Sequence, residues 1–341
     1  MYMPLTLRRL MRDEAGTLPN LLALGYAVGG HLAGLLLLTV PSPALNVLGV
    51  LLTMHSMVIA AYLIHEAAHM TLFRAHDHNR YTGELMAWLC GAAYASYERI
   101  RHFHLRHHRD RADIARFDYK ILLRRLPAPL RGLVYALEWA YVPAVELLMH
   151  YQLLVRPFTQ PDEAPRRARV LVVLASRLAL FGALYAANAR ALACYALAYL
   201  MFLTVMNFFD AFHHTFDQYF VANDDERVSM DGKDRVYEQE NTYSNVVSVR
   251  WPWLNLLTLN FGYHNAHHQR AGTAWHRLPA LHRELYGDDT RQLLPLGELL
   301  RTFHRNRLRR ILDEDYGSVG SDGRRADGFV GAHAVSFLSV V

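Results

Sequence analysis

The chain has 341 residues, of which 52% are hydrophobic and 20% are charged, and its formal net charge is +5. Its two cysteines lie far apart in apolar surroundings, which argues against a disulfide framework and against a Cys-x-x-Cys metal or redox site. All but two of the basic residues are arginines, and they flank apolar segments, so the charge favours a membrane surface over nucleic acid. Twenty histidines are the unusual feature of the composition.

Two long uncharged segments come first along the chain. Residues 18–40 and residues 44–64 contain no Asp, Glu, Lys or Arg. Each segment is long enough to cross a hydrocarbon core of about 30 Å as a helix. The short turn at 41–43 between them predicts a helical hairpin. A second span so close behind the first argues against a cleaved signal peptide.

A second apolar pair follows later. Residues 170–187 and 191–209 are joined by the turn at 188–190, and Arg177 is the single charged residue within the two segments. An arginine at the centre of a span costs at least about 2.5 kcal/mol unless it snorkels or is paired. The sequence does not decide whether Arg177 is paired within the helix bundle or contacts an acidic headgroup of the substrate.

The arginines set the orientation of the four predicted spans. Basic residues precede the first span, follow the second and precede the third, whereas the two short turns contain only Arg190. The positive-inside rule therefore places both termini, residues 65–167 and residues 210–341 in the cytoplasm.

Two further segments are predicted to lie at the membrane interface. Residues 132–155 are apolar but interrupted by charges and a proline, and residues 251–263 carry tryptophan anchors. The expected fold class is an all-α integral membrane protein with four transmembrane helices in two hairpins, interfacial helices and a histidine-rich cytoplasmic cap. Residues 1–316 are expected to form a single domain, and residues 317–341, rich in Gly, Ser and charge, a disordered tail.

The histidines cluster on the predicted cytoplasmic side of the spans. The segment 65–69 reads His-Glu-Ala-Ala-His, and its i, i+4 pair lies on one helical face. The segments 104–108 and 264–268 share the spacing His-x-x-His-His, which gathers three rings on one face. The candidate metal ligands in these three boxes are His65, His69, His104, His107, His108, His264, His267 and His268.

Other interpretations of these clusters exist. His-Glu-x-x-His is also the zinc-protease signature, but such a protease needs a third ligand and a water-accessible cleft. A histidine-rich metal transporter or store would hold its ligands midway through the spans, whereas these lie outside them. Eight or nine imidazoles exceed what one four-coordinate zinc ion uses, so two metal ions are predicted. Imidazole alone does not select among iron, copper, zinc and nickel.

The three boxes, in this order around two hairpins, resemble those of membrane fatty acid desaturases and related lipid hydroxylases. The resemblance covers roughly residues 18–290, and we expect a bacterial member of the family. It implies a non-haem centre of two iron ions (Fe2+/Fe3+), O2 as co-substrate and histidine ligands from all three boxes. It also implies a ninth histidine after the last span, for which His214 is preferred over His213.

The resemblance also indicates residues that stand behind the ligands. Asp210 occupies the position of an Asn that reaches iron through water in some members, so its role is open. His213, His102, Asp113 and Asp118 are further candidates for contacts to the free ring nitrogens of the ligands.

The implied activity is O2-dependent desaturation of a fatty acyl chain at the cytoplasmic surface of the bacterial inner membrane. Hydroxylation, formation of a triple bond or oxidative decarboxylation to a 1-alkene remain alternatives on the same centre. A separate electron donor, such as ferredoxin with its reductase, is expected because the chain contains neither a His-Pro-Gly-Gly haem signature nor a cysteine cluster. The expected partners are this donor, membrane lipid and an acyl group carried by a lipid, CoA, a carrier protein or as free acid.

Overall fold

The computed structural model describes residues 5–115, 117–216, 220–221, 229–320 and 326–333. These residues are mostly helical, and the sheet among them is a two-residue parallel pair of β1 (Ile114–Ala115) and β2 (Phe220–Val221). In chain order the α-helices are α1 (Leu5–Leu10), α2 (Thr17–Thr39), α3 (Pro43–Ala68), α4 (His76–Cys90), α5 (Tyr97–Asp110), α6 (Tyr119–Arg125), α7 (Ala128–Trp139), α8 (Ala144–Thr159), α9 (Arg167–Ala187), α10 (Ala189–Asp210), α11 (Arg235–Glu240), α12 (His264–Gln269), α13 (Leu278–Tyr286), α14 (Leu296–Arg305) and α15 (Arg309–Leu312). Short 3-10 helices lie at Glu14–Gly16, Pro161–Arg166, Pro252–Thr258 and Trp275–Arg277.

The chain divides into two compact units, each built from two stretches of sequence. The first unit comprises Met1–Ile100 and Leu147–Val205, and the second comprises Arg101–Glu146 and Met206–Val341. The first unit thus contains the first histidine box, and the second unit contains the second and third boxes.

Four helical segments are long and apolar enough to cross a membrane: Glu14–Thr39, Pro43–Ala68, Pro161–Ala187 and Ala189–Asp210. They coincide with the four predicted spans, so the all-α membrane fold is confirmed. The second span continues past residue 64 because the Glu and Ala residues that follow are good helix formers. His65 therefore lies in the last turn of α3, and His69 lies at its C-cap.

The first hairpin depends on close helix contact and on a polar side chain at its turn. A Cβ on Gly34 would lie 2.3 Å from Thr53 Oγ1, so glycine allows α2 and α3 to approach this closely. Asn46 Nδ2 lies 3.1 Å from the carbonyl oxygen of Leu38 and 3.0 Å from that of Val40. These carbonyl groups at the end of α2 have no partner within the helix, so Asn46 supplies one.

Helix α4 was not indicated by the hydrophobic pattern, and it ends at Gly91, whose φ is 90°. Arg177 of α9 donates to the carbonyl oxygen of Trp88 in the last turn of α4. Arg169 donates to the carbonyl oxygen of Ala93 just beyond it, at 2.7 Å. A cation at this position complements the negative end of the helix dipole. Arg177 therefore pairs with backbone inside the first unit.

Residues 132–155 form parts of two helices instead of the single interfacial helix that was predicted. Helix α7 ends at Trp139, α8 begins at Ala144, and Tyr141 between them has a φ of 63°. Glu138, one of the charges that interrupts the apolar pattern, accepts the N–H of Val145 at 2.7 Å. The carboxylate thus satisfies an orphan donor at the start of α8.

The last described segment, 326–333, is folded into the second unit. The side chain of Phe329 is fully buried, and its ring centroid lies 5.3 Å from that of Phe212. The N–H of Ala332 donates to the carbonyl oxygen of Ala211 at 2.9 Å. Composition favoured disorder from residue 317 onward, but buried apolar side chains hold this part of the tail in place. Residues 321–325 and 334–341 lie outside the described residues.

Candidate metal centre

Helices α5 and α12 carry the two His-x-x-His-His boxes of the second unit. The spacing predicted one shared face for each box, and the structure divides that face between two clusters. The three-histidine cluster joins His104 and His108 of α5 to His267 of α12. The four-histidine cluster joins His107 of α5 to His264 and His268 of α12, together with His214. Each box thus gives two rings to one cluster and one ring to the other.

The four-histidine cluster has the spacing of ligands around one ion. All four rings offer a nitrogen within 4.8 Å of the others. Nε2 of His214 lies 3.1 Å from Nε2 of His107 and 2.9 Å from Nε2 of His264. Nitrogens that each bind one ion at about 2.1 Å lie roughly 3.0–3.4 Å apart. The geometry therefore suits a single shared metal ion.

The outer nitrogens of two of these rings are held by acceptors. Nδ1 of His107 lies 2.9 Å from the carbonyl oxygen of Ala112, and Nδ1 of His268 lies 3.0 Å from Oε1 of Glu238. A carbonyl oxygen accepts and cannot donate, so His107 carries its proton on Nδ1. The same tautomer of His268 suits the Glu238 carboxylate. Both rings then turn the lone pair of Nε2 toward the cluster, as in known metal sites.

His214 is oriented in the same way through a hydroxyl group. Oγ1 of Thr242 donates to the carbonyl oxygen of Glu238 at 2.6 Å. Its remaining lone pairs face Nδ1 of His214 at 3.4 Å, so Nδ1–H donates to the hydroxyl oxygen. The Nε2 lone pair of His214 is thereby left for a metal ion.

Burial favours the neutral form of three rings in the four-histidine cluster. The pKa values of His214, His264 and His268 are lowered well below 6.5, first by desolvation and then by neighbouring imidazoles. Neutral imidazole is the form that binds metal. Nε2 of His268 is buried and has no hydrogen-bond partner among the described residues. A metal ion would satisfy this buried atom, so the residues present fit a metal site.

The three-histidine cluster adjoins the first. Nε2 of His108 lies 3.2 Å from Nε2 of His267, and His104 offers a nitrogen within 4.8 Å of both. The ring centroid of His108 is 4.1 Å from that of His268 in the four-histidine cluster. Two ions held by these clusters would be close neighbours.

The first box lies in the first unit. The ring centroids of His65 and His69 are 4.7 Å apart, and the two rings offer nitrogens within 4.8 Å of each other. Oε1 of Glu66 lies 3.3 Å from Nδ1 of His65, while its Oε2 accepts the hydroxyl of Thr71 at 2.6 Å. Glu66 thus stands behind His65, as its position off the ligand face predicts.

The acidic candidates after the second box have different surroundings. Asp113 is buried with Oδ1 3.5 Å from Nδ1 of His107, and its Oδ2 accepts the hydroxyl of Tyr316 at 2.9 Å. Burial raises the pKa of Asp113. Asp118 instead accepts the backbone N–H of Lys120 at 2.7 Å and caps α6. In the described part of the chain Asp118 contacts no histidine, so its carboxylate is a helix cap.

His102 also lies apart from both clusters. Its side chain is exposed, and its ring contacts the edge of the Phe103 ring at a centroid distance of 5.3 Å.

His213 and Asp210 border the four-histidine cluster without joining it. Asn245 Nδ2 donates to the carbonyl oxygen of Phe209 at 2.8 Å, which fixes the orientation of its amide. Nε2–H of His213 then donates to Oδ1 of Asn245 at 3.1 Å, and the ring stacks on His264 at 4.0 Å. Oδ1 of Asp210 lies 3.8 Å from Nδ1 of His213.

A small cavity lies against the four-histidine cluster. Its volume is about 50 Å³, which is room for a few atoms. The polar side chains that line it are His104, His107, His213, His214, His264, Asp113 and Asp210. A small molecule bound to the metal would fit in this space. The space is too small to hold much bulk water.

Three polar residues that contact histidines in or beside the four-histidine cluster were not found from the sequence. Glu238 bonds to His268 and accepts Nε–H of Arg111 at 2.9 Å, and Thr242 and Asn245 support His214 and His213. Thr242 and Asn245 are fully buried. The segment 241–245 reads Asn-Thr-Tyr-Ser-Asn, which is typical of a solvated loop, so composition carried no signal of this role.

Four helices long and apolar enough to cross a membrane, together with two adjoining histidine clusters that could hold metal ions, indicate a metal-binding membrane protein. The family model for fatty acid desaturases matches residues 41–299, a range that contains all nine candidate ligands. The match covers well over half of the chain, and the protein belongs to the fatty acid desaturase family. No curated protein matched the sequence.

Proposed function

We propose that the protein is an O2-dependent di-iron oxidoreductase that desaturates a fatty acyl chain. The observation that carries this proposal is the pair of adjoining histidine clusters, in a chain of the fatty acid desaturase family. When bound, two iron ions supply the redox chemistry that activates O2 toward an unactivated C–H bond.

Each cluster is proposed to hold one of the two ions. The four-histidine cluster offers four imidazole nitrogens, and the three-histidine cluster offers three. His65 and His69 are proposed to complete the three-histidine cluster. The order of the boxes supports this assignment, since the first box in the family supplies ligands to the same centre.

The side chains around the clusters prepare and protect the ligands. Glu238, Thr242 and the Ala112 carbonyl keep Nδ1 of three rings occupied, so that each Nε2 faces inward. Burial keeps His214 and His268 neutral and excludes water, which protects a reactive centre from side reactions. The position at which the acyl chain is oxidised then depends on which acyl carbon the protein holds beside the metal.

The histidine boxes and both termini are proposed to face the cytoplasm of a bacterial inner membrane, because arginines flank that side of the spans. A separate electron donor, such as an acidic ferredoxin with its reductase, is proposed to dock on arginines there. Arg109 is one arginine at which such a partner could dock, because its side chain is 66% exposed and it follows His108 directly in the sequence, although it also pairs with Asp110 at 2.6 Å. If purified protein formed product equally well with dithionite and without any reductant, the need for a donor would be contradicted.

Product analysis in a lipid-producing bacterial host tests the activity. We expect a new unsaturated acyl chain that depends on O2, and no product from His267→Ala at matched expression. His102→Ala, which alters an exposed histidine outside both clusters, should retain the product. A new hydroxy acid, an alkyne or a volatile 1-alkene in place of the unsaturated chain would reassign the reaction on the same centre.

Metal analysis of the purified protein separates this proposal from a metal transporter or store. We expect iron to be the bound metal and product formation to stop when iron is removed by a chelator. Iron that exchanges freely across proteoliposomes, without any lipid product under O2, would overturn the enzyme assignment.

A further inference from the structure

A second cavity lies within the first unit, among the membrane helices. Its volume is about 370 Å³, within the range of roughly 300–1,000 Å³ typical of small-molecule sites. Apolar side chains form most of its wall, including Leu147, Leu154, Phe181, Leu192 and Leu200. None of the candidate metal ligands lines it.

Arg177 is the one charged side chain in this wall. Its guanidinium group donates to the carbonyl oxygen of Trp88 and lies 3.5 Å from the hydroxyl of Tyr195. Within the described ranges it has no carboxylate partner. Arginine has five N–H donors, so these two neutral contacts leave several donors available to a ligand.

Neighbouring arginines near the start of the same helix show the contrast. Arg169 pairs with Glu84 at 2.6 Å, and Arg166 pairs with Glu163. Both thus have a carboxylate partner inside the protein, although Glu163 also pairs with Arg99 and Arg156. Arg177 lies deeper along α9 and faces an apolar cavity, where an unbalanced cation is costly.

Capping of α4 explains only part of this arrangement. The bond to Trp88 accounts for one edge of the Arg177 guanidinium, but it provides no negative charge and does not fill the cavity. The hydroxyl of Tyr195 stands beside the cation, and Tyr94 and His150 also line the wall. The tyrosine hydroxyls can donate to an anion without competing for it.

The cavity opens at the surface of the first unit. Leu147 is 37% exposed, and Ala196 on α10 is exposed as well. An amphiphile in the bilayer could therefore enter sideways, with its chain against the leucines and its head toward Arg177.

We propose that this cavity binds a single-chain anionic amphiphile, a free fatty acid, with its carboxylate on Arg177. The planar guanidinium group matches the two oxygens of a carboxylate. A volume of about 370 Å³ suits one acyl chain better than the two chains of a phospholipid. The site is independent of the proposed iron chemistry, because it requires no metal.

Equilibrium binding of radiolabelled palmitate to the full chain in phosphatidylcholine nanodiscs tests this site. We expect saturable binding in both iron-loaded and chelator-treated protein. Arg177→Gln should weaken it by about tenfold or more, the loss of a hydrogen bond to a charged group. Arg190→Gln, which removes an exposed arginine of the same unit, should bind as the wild type does.

Competitors identify the ligand class. Laurate should displace palmitate, whereas hexadecanol and methyl palmitate should not. Displacement by phosphatidylglycerol as strong as that by laurate would overturn the assignment to a single-chain acid and give the site to a phospholipid headgroup. Unchanged palmitate binding by a folded Arg177→Gln variant would overturn the role of the cation.

Ala196→Phe provides a second test, because it fills the cavity without changing Arg177 or the cap on α4. We expect loss of palmitate binding with an unchanged thermal unfolding transition. If Arg177→Gln does not fold, Ala196→Phe remains the test of the site. Retained palmitate binding by Ala196→Phe would overturn the proposed site.

Discussion

Nδ1 of His268 lies 3.0 Å from Oε1 of Glu238, and both side chains are buried. The carboxylate is fixed from its other side by Arg111, so it holds the imidazole in one tautomer and one orientation. Glu238 thereby connects a candidate metal ligand to a segment that lies outside every histidine box.

We predict that loss of Glu238 weakens metal binding without removing a ligand. Glu238→Gln should lower iron affinity by about 10-fold and Glu238→Ala by up to about 100-fold, as for other contacts behind metal ligands. Iron retained against a graded chelator series measures this effect. Glu240→Gln is the matched control, because it neutralises an exposed carboxylate of the same helix, and equal retention in all variants would contradict the prediction.

The division of each box between two clusters predicts which variants act together. His107→Ala and His268→Ala should each remove the same ion, because both rings belong to the four-histidine cluster. Their combination should cost little more iron than either change alone. His107→Ala combined with His267→Ala should instead lose both ions, as measured by iron content per chain. Equal losses in the two double variants would argue against two separate clusters.

The buried carboxyl group of Glu138 should make the stability of the folded protein depend on pH. Burial, reinforced by Glu146 and opposed by Arg310, raises the pKa of Glu138 from 4.5 to about 7 in the folded protein. The folded state then binds more protons than the unfolded state between these values. The contribution of Glu138 to the free energy of unfolding is therefore at its most stabilising below about pH 4.5. It is lost as the pH rises through about 7.

Glu138→Gln should remove this dependence while keeping an acceptor for the N–H of Val145. At about pH 8 the variant should be more stable than the wild type by up to about 3 kcal/mol, seen as a higher unfolding temperature in detergent. Asp288→Asn neutralises an exposed carboxylate and should change nothing. A variant that loses stability at about pH 8 would show that the charged form is the stabilising one.

Phe329 predicts that the C-terminal segment supports the second unit. Its side chain is fully buried against Phe212 and Tyr243. Phe329→Ala should therefore destabilise the protein by about 3–5 kcal/mol, measured as a fall in unfolding temperature. Leu312→Ala, at a 48% exposed position, is the control and should have a small effect. Equal effects of the two changes would indicate that the segment contributes no packing.

The sequence predicts the spans well, because they depend on local patterns, and local spacing also indicated the candidate metal-binding histidines. Four uncharged or nearly uncharged segments specify the membrane helices, and helical spacing brings the rings of each box together. Helix ends were less well predicted, as at α3, where good helix formers extend the helix through His65.

Contacts that depend on tertiary packing were not predictable. Glu238 and Thr242 lie far from the boxes in sequence, and their polarity is typical of exposed loops, yet both are buried behind histidines. Asp118 was a candidate for the same role because it is acidic and follows the second box. Its carboxylate caps α6 because it immediately precedes that helix.

The split of each His-x-x-His-His box between two clusters has a consequence for how the centre assembles. Neither cluster is contained in one helix, so α5 and α12 must dock on each other before either ion has its ligands. Uptake of the first ion should then favour uptake of the second, because binding of the first ion already orders both helices. One residue inserted between His104 and His107 would rotate the later rings by about 100°. Such an insertion should disturb both proposed metal sites at once, unlike the replacement of a single ring.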